Sequence, residues 1–102
     1  NIKVKNLLKI IHKHNTILMG DFNSPIQSEV IKKISSSIPN ADQNPSEPTW
    51  TIYPFDYHGH VEDKLRHRLD NIFITDDLTV ENFEVEHSQG SDHLPVSASI
   101  EI

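Results

Sequence analysis

A short apolar segment that ends abruptly in polar residues constrains the fold of this chain most. Residues 16–19 read Thr-Ile-Leu-Met, Gly20 follows, and Asp21 and Asn23 come directly after it. An apolar run of this length, bounded by glycine and polar residues, predicts a strand that is buried on both faces. Because side chains alternate along a strand, Asp21 and Asn23 are predicted to point to the same side. The pair indicates either the rim of an active site or an Asp-Asn turn before the next helix.

The composition allows one modest hydrophobic core and excludes several classes of protein. The chain has 102 residues, 35% of them hydrophobic, and a formal net charge of -6. That charge argues against broad, nonspecific binding of nucleic acid, although acidic residues that hold a cation could still receive a phosphate substrate. The absence of cysteine excludes disulfides and thiolate metal sites. No apolar run approaches about 18 residues and no signal-peptide pattern opens the chain, so we expect a soluble protein without a membrane span.

Two segments have the apolar spacing of amphipathic helices. The first covers residues 1–15 and leads into the apolar segment described above. The second begins at one of two candidate caps, Ser24 or Ser28, and continues to about Ser37. Pro39 is predicted to end this second helix.

The remaining residues are predicted to form loops and three strands. Segment 40–48 is rich in Asn, Asp, Ser and Pro and predicts a loop, and the polar, non-periodic segment 54–68 predicts an exposed loop. Residues 49–53 form a short strand or an ordered loop. Strands are predicted at 70–74, which should be interior to a sheet, at 80–87 and at 95–102. This order of helices and strands is typical of an α+β layer.

Polar residues adjoin three of the predicted strands, and neighbouring strands would bring them to one edge of the sheet. The motifs are GDFN at 20–23, RLDNIF at 68–73 and SDHLPV at 91–96. Cleavage of a phosphate ester uses such residues, because a divalent metal needs oxygen ligands, the attacking water needs a base and the charge on phosphorus needs hydrogen-bond donors. A carboxylate such as Asp70 could fix the tautomer and orientation of His93.

These three motifs, in this order and with Thr49 and Trp50 between the first two, resemble the carboxy-terminal half of the endonuclease/exonuclease/phosphatase superfamily. Its members are deoxyribonuclease-like, metal-dependent phosphoesterases. The similarity extends from about Thr16 to the end of the chain. The fold that it implies is half of a four-layer α/β/β/α sandwich, with one mixed β-sheet and helices on one face. Residues 1–102 would then be a fragment of a single domain.

The resemblance also implies a role for each matched residue of the motifs. Asp21 would orient or activate the attacking water and, with Asp92, contribute to a metal site that usually holds magnesium, with manganese as the alternative. Asn23 would form a hydrogen bond with the scissile phosphate. Asp70 would pair with His93, which would stabilise or protonate a phosphate oxygen.

Trp50 and Arg68 are further candidates, both for substrate binding. Tryptophan belongs more often to a core than to a substrate platform, so the position of Trp50 leaves both roles open. Arg68 ends the locally basic segment 58–68. This segment could steer a phosphate-bearing substrate or form a solvated loop.

The predicted function is that of a metal-dependent phosphoesterase, a nuclease or phosphatase that hydrolyses phosphodiester or phosphomonoester bonds with an activated water. Expected substrates are phosphate esters of nucleic acid, phospholipid or inositol phosphate type. The alternative is a non-catalytic half-sandwich that acts as a binding module. Both alternatives follow from the resemblance, and loops that cannot be derived from the sequence would select the substrate.

The resemblance further implies that a part of the fold is missing from this chain. In such enzymes the amino-terminal half supplies a metal-binding Glu, for which the residues before Asp21 offer no counterpart, so we expect an incomplete and inactive fragment. Its open sheet face would bind either the missing amino-terminal half or a second copy of the chain. Because the chain begins at Asn1, a leader could have been removed, and secretion stays open as a localisation.

Overall fold

The computed structural model describes residues 2–10 and 14–101, and within them two helices precede most of the strands. The elements are α1 (Ile2–Ile10), β1 (Ile17–Asp21), α2 (Glu29–Ser37), β2 (Phe55–Tyr57), β3 (His60–Glu62), β4 (Asp70–Ile74), β5 (Thr79–Val85) and β6 (Val96–Glu101). The predicted α+β class is confirmed. Residues 11–13 of the first predicted helix lie outside the described residues. Neither helix of the described chain has the length and apolar character needed to cross a bilayer.

The strands of the described residues pair in three antiparallel ladders, β1 with β4, β2 with β3, and β5 with β6. In this detail the pairing differs from the single mixed sheet that the resemblance implies. The reason lies at the second edge of β4, where an irregular segment takes the place of a further strand. Ala41 N donates to Ile72 O at 2.8 Å, and Ile74 N donates to Pro39 O at 2.9 Å. Strand β4 is therefore interior, as predicted.

Two hydrophobic clusters lie on the two faces of the β1–β4 ladder. Phe73 is fully buried, and the Phe22 ring meets it edge-on with the ring centroids 5.3 Å apart. Buried side chains from both helices and the end of α2 surround Phe73, namely Val4, Ile31, Ile34 and Ile38. The opposite face of β4 carries Ile72 and Ile74, which pack with apolar side chains of the β5–β6 ladder. Helices and a second ladder thus enclose β4 from both sides.

Local sequence signals fix both ends of α2. The second candidate cap is the observed one, since Ser28 Oγ accepts a hydrogen bond from Ile31 N at 3.3 Å. Ile31 and Ile34 form the buried stripe of the helix. Ile38 has extended backbone angles and ends the helix, because the residue before a proline, here Pro39, disfavours the helical conformation.

Strand β1 is open on one face, so the prediction that it is buried on both faces is wrong. Ile17 is 44% exposed and Met19 is 68% exposed, whereas Leu18 packs on the helix side. In the register of the ladder Ile17 and Met19 lie opposite Ile74 and Ile72. They therefore extend the second apolar cluster out to solvent. An uninterrupted apolar run does not distinguish a covered face from an uncovered one.

The predicted exposed loop at 54–68 contains the hairpin formed by β2 and β3. His58 and Gly59 connect the two strands with φ angles of 51° and 80°. Two consecutive residues with positive φ are typical of a type I′ turn, whose twist matches that of a hairpin. Each strand has only three residues, which is too short for an alternation of apolar and polar side chains to be recognised in the sequence.

A buried carboxylate anchors the second strand of this hairpin. Glu62 is 5% exposed, and its two oxygens accept hydrogen bonds from Arg66 Nε at 2.7 Å and Arg66 Nη2 at 2.9 Å. His67 Nε2 lies 3.2 Å from Glu62 Oε2. The hydrogen bond from Arg66 is the largest cause that lowers the pKa of Glu62 to about 2, against the opposing effect of burial and with a further contribution from His67.

Replacing Glu62 with Gln is expected to destabilise the fold at neutral pH and to have little effect in strong acid. Because the pKa of Glu62 is lower in the folded state, its contribution is present above the ordinary value of 4.5 and is lost as the pH falls toward about 2. Urea unfolding at a series of pH values measures the difference between the two proteins. The exposed Glu81→Gln is the matched control, and a Glu62→Gln difference that stays constant down to about pH 2 would contradict this interpretation.

Candidate active site

The pairing of β1 with β4 places two carboxylates side by side at one end of the ladder. Asp21, the last residue of β1, lies opposite Asp70, the first residue of β4. The contact continues one residue further, because Phe22 N donates to Leu69 O at 2.9 Å. Side chains that lie directly opposite in such a ladder are close neighbours, and two like charges there are unfavourable. A positively charged group is therefore expected next to Asp21 and Asp70.

His93 lies between the two carboxylates and supplies that partner when it is protonated. Its Nδ1 is 2.7 Å from Asp70 Oδ2, and its Nε2 is 3.6 Å from Asp21 Oδ2. The contact between Asp70 and His93 is the pairing that their sequence motifs predict. The side chain of His93 is 28% exposed and that of Asp21 is 45% exposed, so a ligand can reach both from solvent.

The surroundings of His93 raise its pKa above the ordinary value of 6.5. Burial by itself lowers the pKa, but the hydrogen bond to Asp70 and the charges of Asp70, Asp21 and Asp92 more than offset this. A larger fraction of His93 is therefore protonated near neutral pH. A protonated imidazole that donates one hydrogen bond to a carboxylate keeps its second N–H for a ligand.

Asp21 and Asn23 form a local turn, which is the second of the two roles that their sequence indicates. Asp21 Oδ1 accepts a hydrogen bond from Asn23 N at 2.8 Å, and the φ angle of Asn23 is 49°. Asn tolerates this left-handed conformation better than most residues. The strand ends at Asp21, so the alternation of side chains does not extend to Asn23. The turn leaves Asp21 Oδ2 near His93, and it is therefore compatible with an active-site role.

Asp92 is oriented by the loop that contains Trp50. Trp50 Nε1 donates to Asp92 Oδ2 at 3.1 Å, and Ser91 Oγ donates to Asp92 Oδ1 at 3.4 Å. The indole also lies beside the ring of His93, with the ring centroids 6.2 Å apart. These contacts give Trp50 an orienting role toward Asp92, and its contact with substrate stays a prediction.

Arg68 does not face this cluster, so its predicted contact with substrate is wrong. Its side chain is 3% exposed, and Nη1 donates to Asp42 Oδ2 and to Glu47 O, both at 3.1 Å. Nε donates to the backbone oxygen of Asp70 at 2.8 Å, and the guanidinium lies over the ring of Phe83. The charge of Arg68 is used inside the protein, where it ties the 40–48 loop to the start of β4.

Thr49 helps to position the site, although the sequence motifs assign it no role of its own. It is fully buried, and its hydroxyl oxygen accepts hydrogen bonds from Leu69 N at 3.0 Å and Asp70 N at 3.2 Å. Its backbone oxygen accepts a hydrogen bond from Leu94 N at 2.7 Å. Thr49 thus fixes the backbone beside both Asp70 and His93. The sequence signal for its role is its position directly before Trp50, in a segment that predicts either a short strand or an ordered loop.

A cavity of about 330 Å³ adjoins the two carboxylates and the imidazole. Asp21, Asp70, His93 and Ser91 form its polar end. The rest of the wall is mainly apolar and includes the open face of β1, with contributions from Met19, Ile72, Leu94, Pro95 and Val96. The cavity therefore combines a charged end with an apolar wall, as in many sites for small ligands.

The polar end has a donor set that fits a divalent cation. Asp21, Asp70 and His93 each place one ligand atom within 4.8 Å of the other two. The oxygens of Asp21 and Asp70 suit magnesium or manganese, whereas the His93 nitrogen can bind a metal ion only when the ring is deprotonated. Asp92 is not in this set, but its carboxylate retains lone pairs beyond the two hydrogen bonds that orient it.

The sequence of this chain matches a superfamily of the phosphoesterase and nuclease type. The sequence model of the Endonuclease/Exonuclease/phosphatase family matches residues 4–93, and the chain belongs to this family. The fold is similar to the crystal structure of the endonuclease/exonuclease/phosphatase from Bacteroides vulgatus, with a TM-score of 0.67 over 99% of this chain and 21% sequence identity. This chain spans 41% of the length of that protein. A comparison with curated proteins finds no significant match.

Replacing Asp70 with Asn is expected to lower the pKa of His93, because it removes the negative charge and leaves at most a weaker, neutral hydrogen bond. Since the folded-state pKa is raised, the contribution of His93 to stability is complete below 6.5 and is lost as the pH rises through the folded value. The substitution should therefore reduce the free energy of unfolding more at about pH 5 than at about pH 9. An NMR titration of the His93 ring measures the pKa directly.

Asp77→Asn is the matched control for this titration. Asp77 Oδ2 lies 4.0 Å from His14 Nδ1, so this substitution should leave the titration of His93 unchanged. A pKa of His93 that is the same in Asp70→Asn and in the unmodified protein would contradict the assignment.

Proposed function

We propose that the whole protein hydrolyses phosphodiester or phosphomonoester bonds with an activated water and depends on a divalent metal. The observation that supports this most strongly is the position of His93 between Asp70 and Asp21, at 2.7 Å and 3.6 Å. An imidazole that one carboxylate orients, next to a second carboxylate, provides a proton donor and a base within a single site.

Asp21 is the proposed group that orients or activates the attacking water. Its Oδ1 accepts the hydrogen bond from Asn23 N, which fixes the plane of the carboxylate. The other oxygen is directed toward the cluster and can accept a proton from a water bound there. Asn23 is exposed immediately beside it, and we propose that its side chain forms a hydrogen bond with the scissile phosphate.

His93 is the proposed donor to a phosphate oxygen. Asp70 holds its Nδ1 and compensates the charge of the imidazolium. The Nε2 proton is then directed to the side on which Asp21 lies, where the phosphate would bind. The raised pKa of His93 favours the protonated ring that this role needs.

Asp21 and Asp92 are the proposed ligands of a magnesium ion, with manganese as the alternative. When bound, the ion would neutralise negative charge on the phosphate and polarise its oxygens. The hydrogen bond from Trp50 Nε1 fixes the orientation of Asp92, as partners of ligating carboxylates commonly do. Proposed substrates are phosphate esters of nucleic acid, phospholipid or inositol phosphate type.

Replacing Asp21 with Asn or His93 with Ala is expected to reduce hydrolysis by the whole protein by at least about 100-fold. Chelation of divalent metal should abolish the activity, and magnesium should restore it. Initial rates on a panel of phosphodiesters and phosphomonoesters measure both effects.

Asp76→Asn, at an exposed aspartate outside the cluster, is the control and should retain full activity. Full hydrolysis in the presence of a chelator, or equal activity in Asp21→Asn and Asp76→Asn, would exclude the proposed mechanism. Metal binding without any hydrolysis would favour the alternative, a non-catalytic binding module.

We also propose that a partner covers the open face of β1. This partner is either another part of the fold or a second copy of the chain. Ile17 and Met19 form an exposed apolar surface on a strand whose opposite face is already packed. Replacing both residues with Lys is expected to shift the chain from a larger assembly to a monomer in analytical ultracentrifugation. An unmodified chain that already sediments as a compact monomer would exclude a second copy as the partner.

A further inference from the structure

The β2–β3 hairpin presents a row of aromatic rings that begins beside the candidate active site. The indole of Trp50, which donates to Asp92, meets the ring of Phe55 at a centroid distance of 5.4 Å. Phe55 in turn lies parallel to Tyr57, with an interplanar angle of 10° and a centroid distance of 6.4 Å. His58 meets Tyr57 edge-on at 4.3 Å. The row therefore extends outward from the carboxylate cluster along the hairpin.

Two rings of this row are exposed on a well-anchored element. Phe55 is 39% exposed and Tyr57 is 63% exposed. They are two positions apart in β2 and therefore lie on the same face of the hairpin. The hydrogen bonds of Glu62 to Arg66 and its contact with His67 hold β3, and hence the hairpin, in place. Exposed aromatic rings that neighbour one another and a charged site indicate a binding surface.

We propose that this row stacks the bases of a short, unpaired nucleic acid whose phosphate lies in the candidate active site. The inference rests on the proposed phosphoesterase function and selects one substrate class for it. Aromatic faces stack on any nucleobase, because every base has a π face. Stacking requires no positive charge, whereas the formal net charge of -6 disfavours binding along an extended phosphate backbone.

The distribution of polar groups on the hairpin favours a nucleobase over a lipid. The tip consists of His58 and Gly59, and Asp56 Oδ1 accepts a hydrogen bond from Gly59 N at 3.1 Å. A hairpin that inserts into a bilayer would present apolar side chains at its leading end. Here the end that would enter first is polar, and the row begins at the base with Phe55 beside Trp50.

Equilibrium binding of two labelled oligonucleotides to the whole protein tests the proposal. One is a short single strand with all its bases, and the other is the abasic strand of the same length and charge. Measurements in a chelator prevent any metal-dependent cleavage. Phe55→Ala and Tyr57→Ala are each expected to raise the Kd for the strand with bases by about 10-fold and to leave the Kd for the abasic strand unchanged.

Two controls separate stacking from a general effect on the hairpin. Tyr57→Phe keeps the ring and should retain the binding of the unmodified protein. Val61 is 55% exposed and lies on the opposite face of the hairpin from Tyr57, so Val61→Ala should also leave the Kd unchanged. Thermal unfolding of each variant shows whether the fold is preserved.

Equal Kd changes for the two strands, or none for either, would overturn the proposal. It would also be overturned if the ring variants lost binding to phosphatidylcholine vesicles while binding of the strand with bases stayed unchanged, because the row would then contact lipid. The binding assay does not need hydrolysis. A parallel rate measurement with magnesium that finds no cleavage of any ester in the phosphodiester and phosphomonoester panel would therefore defeat the proposed phosphoesterase function, while base-dependent binding would still report on the row.

Discussion

The antiparallel register of β1 with β4 determines where the candidate active site of this protein lies. It makes Asp21 and Asp70 direct partners, so two negative charges meet at the end of a largely apolar ladder. Such a pair raises the free energy of the fold unless positive charge lies next to it. His93 occupies that place, and the same two carboxylates raise its pKa. The two carboxylates thus stabilise the protonated ring, and the positive charge of the ring reduces the repulsion between the two carboxylates.

The loop at Thr49 and Trp50 joins the three parts of the molecule that meet around this pair. Thr49 bonds to the start of β4 and to Leu94, just beyond His93. Trp50 forms backbone hydrogen bonds in both directions with His67, at 3.0 Å and 3.1 Å. Its indole reaches Asp92 as well. The orientation of the proposed metal ligand, of the imidazole and of the aromatic hairpin therefore depends on one short irregular segment, in which Thr49 is fully buried.

The sequence predicts those features whose cause is local. The end of α2 follows from Pro39, and the interior position of β4 follows from its apolar residues on both faces. The cluster is predictable in outline, because its residues lie at the ends of strands. Other features depend on contacts between distant segments. The exposure of Met19 depends on what covers β1, and the burial of Arg68 depends on loop oxygens at 42 and 47. Neither the exposure of Met19 nor the burial of Arg68 can be predicted from its neighbours in the sequence.

The apolar wall of the cavity and the open face of β1 are one continuous surface, because Met19 belongs to both. A partner that covers this face would also remove bulk water from the end of the cavity where Asp21 and His93 lie. Lower dielectric strengthens every charge interaction there. Assembly of the fold and exclusion of bulk water from the candidate active site would then be coupled, and dissociation would weaken the charge interactions among its side chains.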